Sequence, residues 1–335
     1  EISVLGDLEL DALADLCTDY ATVDVKGSVT LSPTDGTDLS SVDCLGATTG
    51  DLVIEGDTLT EIDLPGLTQV GGNLAIESLA ALENITLNAL MEVGGSLQVV
   101  SNPYLGVLSL EEICDVGTSI VIRGNSEMLT ANLANLVSIH LSNQNARSQA
   151  EGEAGIDISD NASLEQLDLG NVETIGCPFM IDGNDALTSL DIGRNSTVIG
   201  DLQISNNASL QEVNLELLSQ VHGSMILENN PFLTTSESIA PALQTIQGSL
   251  ELVSLVSLNQ VLFPMLTKVE GSVVLTDVGQ DDVSGGSINF RSLETLSTDI
   301  KFRNIGAESI NLSSLQTLPG NLLFANSDYL TSVTL

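Results

Sequence analysis

The sequence predicts an all-β protein, a parallel β-solenoid of about thirteen coils of roughly 23 residues with a short N-terminal capping helix. Three observations predict this fold class. An apolar motif returns at a nearly constant spacing, apolar and polar residues alternate within each repeat, and the 42% hydrophobic content includes only 3% aromatic residues. An aliphatic core of this kind suits narrow, stacked layers. No membrane span is predicted, because no run approaches the roughly 18 apolar residues that one needs.

The repeat reads approximately V-x-G-[SN]-L-x-I-x-x-N-x-x-L-x-x-[LV]-x-L-x-x-L-x-x-V, and we call its first leucine position the anchor. Successive anchors are 23, 22, 23, 23, 36, 23, 23, 23, 25, 23, 27 and 22 residues apart. A spacing this regular does not arise by chance. Stacked repeats of this kind predict parallel sheets. The anchors are Val29, Leu52, Leu74, Leu97, Ile120, Ile156, Phe179, Leu202, Met225, Leu250, Val273, Ile300 and Leu322.

Each coil is predicted to hold two or three short strands. Every anchor has an apolar residue two positions later, which is the period of a strand with one buried face. A second alternating pair follows about eleven residues after the anchor, as at Ile85 and Leu87, and a third apolar pair closes the coil, as at Leu90 and Val93.

Glycine and asparagine recur at fixed positions where the chain turns between strands. Glycine stands two residues before several anchors, where we expect a tight turn, and asparagine stands five residues after the anchor in six consecutive coils. Stacked amides both donate and accept, so the asparagines are predicted to form a structural ladder. The glycines are Gly72, Gly95, Gly223, Gly248, Gly271 and Gly320, and the asparagines are Asn102, Asn125, Asn161, Asn184, Asn207 and Asn230.

Residues 1–22 are predicted to form an N-terminal cap, and residues 23–335 a single solenoid domain with insertions near 141–154 and 279–286. In the cap, Asp7 is expected to cap a helix whose Leu10, Leu13 and Cys17 share one face and cover the first coil.

Of the four cysteines, Cys17 and Cys44 are expected to form a disulfide at the capped end. Cys114 and Cys177 fall about two coils apart, roughly 10 Å. That exceeds the ~7 Å Cα separation that a disulfide allows, so they are not expected to pair.

The C-terminal end is expected to be open. Leu335 stops in the middle of a coil, which leaves the layer of Leu322, Phe324, Leu330 and Val333 uncovered on one side. We therefore expect the natural chain to continue into further coils or a cap, or this end to associate axially with a partner, including a second copy.

Charge and composition indicate an extracellular or cell-surface location. The chain has 8 Lys and Arg against 46 Asp and Glu, a net charge of −38, so nucleic acid is not an expected partner. Four cysteines and five Asn-x-Ser/Thr sequons favour an oxidising, secreted location. Asn84, Asn195 and Asn311 are predicted to be glycosylated, whereas the sequons at Asn161 and Asn207 belong to the ladder and should face inward.

A catalytic function is not predicted. Only His140 and His222 are present, the eight basic residues are dispersed apart from Lys301 and Arg303, and no nucleophile elbow, phosphate loop, paired CxxC or HExxH motif occurs. Enzymes built on parallel β-helices need clustered carboxylates with basic groups on one face. No such constellation is visible in the sequence.

Two candidate sites remain, each with a structural alternative. Asp168 and Asp191 fall in adjacent coils and could hold Ca²⁺, the only cofactor considered, or could be screened by solvent. Outward positions on the first strand carry apolar residues, which suggests an interaction face unless they serve only strand formation. The residues of this face are Val53, Val121, Met180, Ile226, Val274 and Leu323.

The phrases VGGNLAIESLAALENITL, VGGSLQVVSNPYLGVLSL and VHGSMILENNPFLTT resemble the receptor L-domain repeat, over roughly residues 23–335. They are most similar to fungal GPI-anchored proteins of cell-wall and spore-wall organisation. The resemblance implies a right-handed solenoid with leucine-rich-repeat-like character and a role in wall integrity without catalysis. This chain is far more acidic, and it shows neither the Ser/Thr-rich stalk nor the hydrophobic GPI tail of that family.

The sequence therefore favours a non-catalytic structural or adhesive protein of a cell surface or extracellular matrix, with a wall or matrix glycan or protein as partner. The alternative is a receptor-like ectodomain that binds a glycan or protein on a sheet face. A polysaccharide-active enzyme is the third alternative, and it would require converging carboxylates in a cleft.

Overall fold

The computed structural model shows an all-β parallel β-solenoid of about thirteen turns, as predicted. It describes residues 2–33, 38–139, 155–170, 172, 174–192, 194, 196–234, 238–280 and 285–335. The predicted insertion at 141–154 lies outside the described residues, as do 281–284 of the insertion near 279–286. The chain divides into two compact units, Glu1–Val172 and Glu173–Leu335, each of which is treated by itself below.

Three sheets surround the core of each unit: the anchor sheet that carries the anchors, the middle sheet that follows it in each coil, and the closing sheet that ends the coil. In the first unit the anchor sheet contains Leu8–Glu9, Val29–Leu31, Leu52–Ile54, Leu74–Glu77, Leu97–Val100, Ile120–Arg123 and Ile156–Ser159. Its middle sheet contains Glu61–Asp63, Asn84–Thr86, Val107–Ser109, Thr130–Asn132 and Gln166–Asp168. Its closing sheet contains Ile2–Leu5, Val23–Lys26, Leu45–Thr48, Gln69–Val70, Glu92–Val93, Asp115–Val116 and Ser138–Ile139.

The second unit repeats this arrangement. Its anchor sheet contains Phe179–Asp182, Leu202–Ser205, Met225–Glu228, Leu250–Leu255, Val273–Val278, Ile300–Ile305 and Leu322–Ala325. The middle position is divided between a two-stranded sheet, Ser189–Asp191 and Glu212–Asn214, and a four-stranded sheet, Gln260–Leu262, Ser287–Asn289, Ser309–Asn311 and Ser332–Thr334. Its closing sheet contains Thr174–Ile175, Thr197–Val198, Gln220–Val221, Thr245–Ile246, Lys268–Val269 and Thr295–Leu296.

The anchors define the structural repeat. Every anchor is the first residue of a strand of the anchor sheet. Apart from Leu322, each is at most 1% exposed. Burial of a Leu, Ile or Val side chain stabilises the fold by about 1.5–3 kcal/mol, so the core rests on these stacked aliphatic layers. The second unit adds stacked aromatic pairs, Phe263 on Phe290 and Phe302 on Phe324, each with ring centroids 5.5 Å apart.

The glycines before the anchors are required for a reason that differs from the prediction. None of the six has a positive φ, so turn conformation does not select them. A Cβ on Gly248 would instead lie 2.6 Å from the carbonyl carbon of Gly223 and 2.5 Å from Oγ of Ser224, both in the preceding coil. Glycine is needed because the main chains of neighbouring coils approach each other closely at this corner.

The left-handed corner lies elsewhere, four residues after the anchor. There the non-glycine residues have φ between 51° and 61°, and Gly124 and Gly183 have φ of 68° and 65°. Serine, aspartate, asparagine and glycine occupy this corner because larger or β-branched residues are strained in the left-handed region. The non-glycine residues are Ser78, Ser101, Asp160, Asn206, Asn229, Ser254, Asp277, Asn304 and Asn326.

The asparagine ladder is present in both units, and all six side chains are 0% exposed. In the first unit, Nδ2 of Asn125 donates to Oδ1 of Asn161 at 3.1 Å and to the carbonyl of Val99 at 2.9 Å. In the second unit, Nδ2 of Asn207 donates to Oδ1 of Asn230 at 3.2 Å. Asn125 thus links three coils and satisfies polar groups of the buried corner.

The N-terminal cap is a helix, Leu10–Asp19, that packs against Val23–Lys26 and Val29–Leu31. Leu13 is 0% exposed, and Cys17 and Cys44 lie at disulfide distance, with a Cα–Cα separation of 5.5 Å, as predicted. A short 3₁₀ helix, Ser40–Val42, packs beside it.

The role predicted for Asp7 is wrong. Glu9 is the N-cap residue of the helix and makes no side-chain capping bond. Asp7 instead accepts a hydrogen bond at 2.7 Å from the main-chain N–H of Ser28 in the first coil. The reason is that Ile2–Leu5 and Leu8–Glu9 are themselves strands, paired with Val23–Lys26 and with Val29 and Thr30. Residues 2–9 therefore belong to the sheets, and only the helix serves as a cap.

The last coil is the most exposed of the second unit. Leu322 and Phe324 are half-buried, whereas Val333 is 38% and Leu335 70% exposed. Axial association of this end stays a prediction.

Candidate binding face

The predicted interaction face lies on the outer surface of the anchor sheet. In the second unit its residues form one row, which we call the chequered row, with the register Met180, Gln203, Ile226, Glu251, Val274, Lys301 and Leu323. All seven are half-buried. Apolar and polar side chains alternate from strand to strand, so apolar groups recur every two coils, roughly 9.6 Å.

The row in the first unit is less regular. Val53 pairs with Ala75, Ala75 with Gln98, and Gln98 with Val121. The predicted residues Val53 and Val121 are therefore three coils apart, with Ala75 and Gln98 between them. The six residues of the predicted face do not form a continuous apolar stripe in either unit.

Two polar members of the chequered row, Gln203 and Lys301, are held in place by local bonds. Nε2 of Gln203 donates to Oγ of Ser205 at 3.0 Å, and this hydroxyl donates to Asp182 at 2.5 Å. Nζ of Lys301 lies 2.9 Å from Asp299. The N–H of Asn321, followed by Lys301, lowers the pKa of Asp299, which therefore stays ionised at neutral pH. The row offers a preorganised surface of mixed chemistry.

A half-exposed ion pair lies on the outer surface of the same sheet in the first unit, with the Arg123 side chain 44% exposed and the Asp157 side chain 3% exposed. Arg123 pairs with Asp157, and its Nε donates to Oγ of Ser159 at 2.9 Å. Asp157 and Ser159 are only 2% and 3% exposed, and Oδ1 of Asp157 has no partner among the described residues. This pair could not be predicted from the sequence, because Asp157 occupies an outward strand position that is normally exposed.

The middle sheet of the second unit contains a cavity that the sequence analysis missed. We call it the notch; its volume is about 540 Å³. It adjoins the strand Glu212–Asn214, and residues 235–237 of the next coil lie outside the described residues. Its described lining comprises Ser189, Leu190, Asp191, Glu212, Val213, Asn214, Leu215, Glu216, Ser238, Ile239 and Pro241.

The two predicted calcium ligands lie in different units. Asp168 ends the strand Gln166–Asp168, is exposed, and accepts a hydrogen bond at 2.9 Å from the N–H of Gly170. Asp191 ends the strand Ser189–Asp191 and is exposed at the rim of the notch. Across the described ranges, no group of three or more His, Cys, Asp or Glu side chains is arranged to hold a metal. A calcium ion bound by this pair stays a prediction.

The remaining two cysteines are free and differ in environment. Cys114 is exposed, and its Sγ lies 3.2 Å from the carbonyl oxygen of Met91. Cys177 is 0% exposed, and burial raises the pKa of its thiol from an ordinary value of 9.0 to about 12. Cys114 is therefore the accessible thiol and Cys177 a protonated core residue.

The sequons differ in accessibility in the predicted direction. Asn84 and Asn311 are half-buried on middle-sheet strands, whereas Asn161 and Asn207 are 0% exposed. Asn195 lies outside the described residues. Glycosylation itself stays a prediction at Asn84, Asn195 and Asn311.

In comparisons with known proteins, no family, no curated protein and no solved structure matches this chain. Within the described part of the chain, no helix has the length and apolarity that a bilayer crossing demands.

Proposed function

We propose that this chain is a non-catalytic structural or adhesive protein of a cell surface or extracellular matrix, with a role in cell-wall organisation. The chequered row is its contact surface. The observation that carries the proposal is the regular alternation of Met180, Ile226 and Val274 with polar side chains along a single straight ladder.

Such a row suits a linear polymer. Stacked strands hold the side chains on rigid elements, so little conformational entropy is lost when they bind a ligand. An apolar group every roughly 9.6 Å, with hydrogen-bonding groups between, matches an extended chain that presents apolar and polar faces in turn. The disulfide of Cys17 with Cys44 and the resemblance of the repeat to receptor L-domain and fungal wall proteins support an extracellular setting.

The test is retention of the protein on insoluble β-1,3-glucan and chitin particles. Val274→Ser removes one apolar member of the row and is expected to weaken retention about 5- to 10-fold. Val107→Ser is the matched control, because Val107 is an outward-facing valine of the middle sheet that is 38% exposed. Equal retention of the two variants would contradict the proposal.

The receptor-like alternative uses the same face. The two functions are distinguished by whether the ligand is a soluble molecule or an insoluble polymer. A receptor ectodomain would show saturable binding of one soluble glycan or protein, sensitive to Val274→Ser, and no retention on either insoluble polymer. Retention on a polymer favours the adhesive role.

A further inference from the structure

Three exposed apolar side chains lie close together on the outer surface of the first unit's middle sheet. Val107 is 38% exposed at the start of its strand, Tyr104 is 55% exposed three residues earlier, and Leu129 is 47% exposed in the next coil. We call these three side chains the apolar patch. The N–H of Leu129 donates to the carbonyl of Gly106 at 2.8 Å, so Leu129 lies directly beside that glycine. Exposed apolar groups gathered in this way indicate a contact surface.

Gly106 leaves the main chain uncovered in the middle of this patch. Its φ is not positive, so the left-handed region does not require a glycine here. A Cβ at this position would have only the carbonyl oxygen of Glu83 within 4 Å, at the ordinary contact distance of 3.6 Å. Since neither conformation nor close approach selects Gly106, its effect is to leave space between Tyr104 and Val107.

The asparagine of a sequon lies next to the patch. Asn84, of the sequon Asn84-Ile85-Thr86, is the strand neighbour of Val107, and neighbouring strands are about 4.8 Å apart. The central Ile85 is buried, so Asn84 occupies an outward position, as Val107 does. Within the described part of the chain, the side chain of Asn84 makes no hydrogen bond. Its amide nitrogen is therefore available for modification.

The surroundings of Asn84 differ on its two sides. Toward the preceding coil its strand neighbour is Glu61, which is exposed and carries a charge. Toward the following coils lie Val107 and then Leu129, which is two coil steps from Asn84, roughly 9.6 Å. An uncharged group attached to Asn84 would therefore bury apolar area only on the side of the apolar patch.

The first sugars of an N-linked glycan have the chemistry that the apolar patch requires. The ring of N-acetylglucosamine is uncharged and presents C–H groups on its faces, and its acetyl group adds a methyl. These groups can pack on the Tyr104 ring and on aliphatic side chains while the hydroxyls stay in water. Because the sugar is covalently attached, packing costs no further loss of translational freedom, so modest contacts suffice to hold it.

We propose that Asn84 carries an N-linked glycan whose core N-acetylglucosamine units pack on the apolar patch. In the attachment step, Nδ2 of Asn84 forms a bond to C1 of the first sugar of a lipid-linked oligosaccharide. The lipid pyrophosphate leaves and the amide loses one proton, with no oxidation or reduction. The inference rests on the glycosylation predicted for Asn84 and is independent of polymer binding by the chequered row.

The other accessible sequon in the described part of the chain has different surroundings. Asn311 has Asn289 and Thr334 as its strand neighbours, and both are polar. Its Oδ1 accepts a hydrogen bond from the main-chain N–H of Ser313 at 3.0 Å. A glycan at Asn311 is therefore expected to extend into solvent, and it serves as the internal control for Asn84.

The test compares the full chain, secreted from a host that adds high-mannose glycans, with its Asn84→Gln variant. Tyrosine nitration by tetranitromethane is followed by peptide mass spectrometry. We expect Tyr104 to react about 5-fold more slowly in the glycosylated protein than in the variant, because the sugar covers its ring. Tyr329 is 50% exposed and should react equally in both.

Variants of the patch separate packing from attachment. Endoglycosidase H cleaves between the two core N-acetylglucosamine units, and we expect it to act about 5-fold more slowly at Asn84 than at Asn311 in the native protein. Leu129→Ser should remove most of this difference. Val137→Ser, at a valine of the same unit that is 46% exposed and outside the patch, should leave it unchanged.

The same peptide maps report whether Asn84 is occupied, so the two parts of the proposal fail separately. An unoccupied Asn84 would refute the attachment. An occupied Asn84 with equal nitration of Tyr104 in both proteins, or with equal effects of the Leu129 and Val137 variants, would refute the packing. Any of these results overturns the proposal.

Discussion

Oδ1 of Asn125 accepts two hydrogen bonds from Asn102 of the preceding coil, one from its main-chain N–H at 3.1 Å and one from its Nδ2 at 3.2 Å. One side chain therefore fixes both the turn and the amide of its neighbour. Asn125 bonds to Asn161 in the same way, so the ladder ties these consecutive coils together.

Removal of one ladder amide should be costly. Asn125→Ala leaves the main-chain N–H of Asn102 and the carbonyl of Val99 without their partners in a corner that excludes water. We expect a loss of about 2–4 kcal/mol in the free energy of unfolding, measured in urea. The exposed Asn135, as Asn135→Ala, should change it by less than about 0.5 kcal/mol. Similar values for the two variants would show that the ladder is not a stabilising element.

The two kinds of glycine should respond differently to alanine. Gly124→Ala adds a Cβ whose nearest neighbours are 3.7–3.8 Å away, so only the left-handed φ of 68° is strained, and we expect a loss of about 1–2 kcal/mol. Gly248→Ala forces main chains apart and should cost about 3 kcal/mol or more. Thermal unfolding of both variants measures the difference, and the reverse order would refute the close-approach explanation.

The cap should depend on its disulfide. Cys17→Ser combined with Cys44→Ser opens a loop with a sequence separation of 27 residues, for which we expect a loss of about 3 kcal/mol. Cys114→Ser, at an exposed free thiol, is the control and should be nearly neutral. Chemical unfolding that shows no difference between the two would mean that the helix caps the end without the crosslink.

Thiol reactivity and alkaline stability should follow the pKa of Cys177. In the folded protein a maleimide reagent is expected to label Cys114 alone. The folded pKa of about 12 lies above the ordinary value of 9.0, so the unfolded chain ionises first and stability falls as the pH rises between these values. Cys177→Val should lose less stability over that range. Rapid native labelling of Cys177 would contradict the assigned burial.

Glycosylation should follow accessibility in a secretory expression host. Intact glycopeptide mass spectrometry is expected to find glycans at Asn84 and Asn311 and none at Asn161 or Asn207, whose side chains are in the ladder. Occupied Asn161 or Asn207 would mean that the ladder forms after modification or does not form in those coils.

Much of this architecture could be predicted from the sequence because the same burial pattern, an apolar anchor at a nearly constant spacing, repeats in about thirteen coils. The spacing of anchors such as Leu52 and Leu97 predicts the strand starts, and the recurrent buried amides of Asn102 and Asn207 predict the ladder. These features depend only on local period and burial, which a sequence displays directly.

Features set by contact between coils were harder to predict. The sequence marks Gly248 as special but does not distinguish a turn from a close approach, and Asp7 has the chemistry of a helix cap although strand pairing directs it to Ser28. Each member of the chequered row directly follows an anchor, so its mixture of apolar and polar residues could be read from the sequence, and the register of Ile226 with Glu251 adds that they lie side by side.

Hydroxyl-radical footprinting of the protein bound to the polymer that retains it tests the contact surface most directly. Three methionines are built-in reporters: Met180 belongs to the chequered row, while Met91 and Met265 lie off it and are 48% and 52% exposed. Oxidation of Met180 and Ile226 should fall on binding, and oxidation of Met91 and Met265 should stay unchanged. Protection of Met91 or Met265 with Met180 unaffected would show that the anchor sheet is not the binding face.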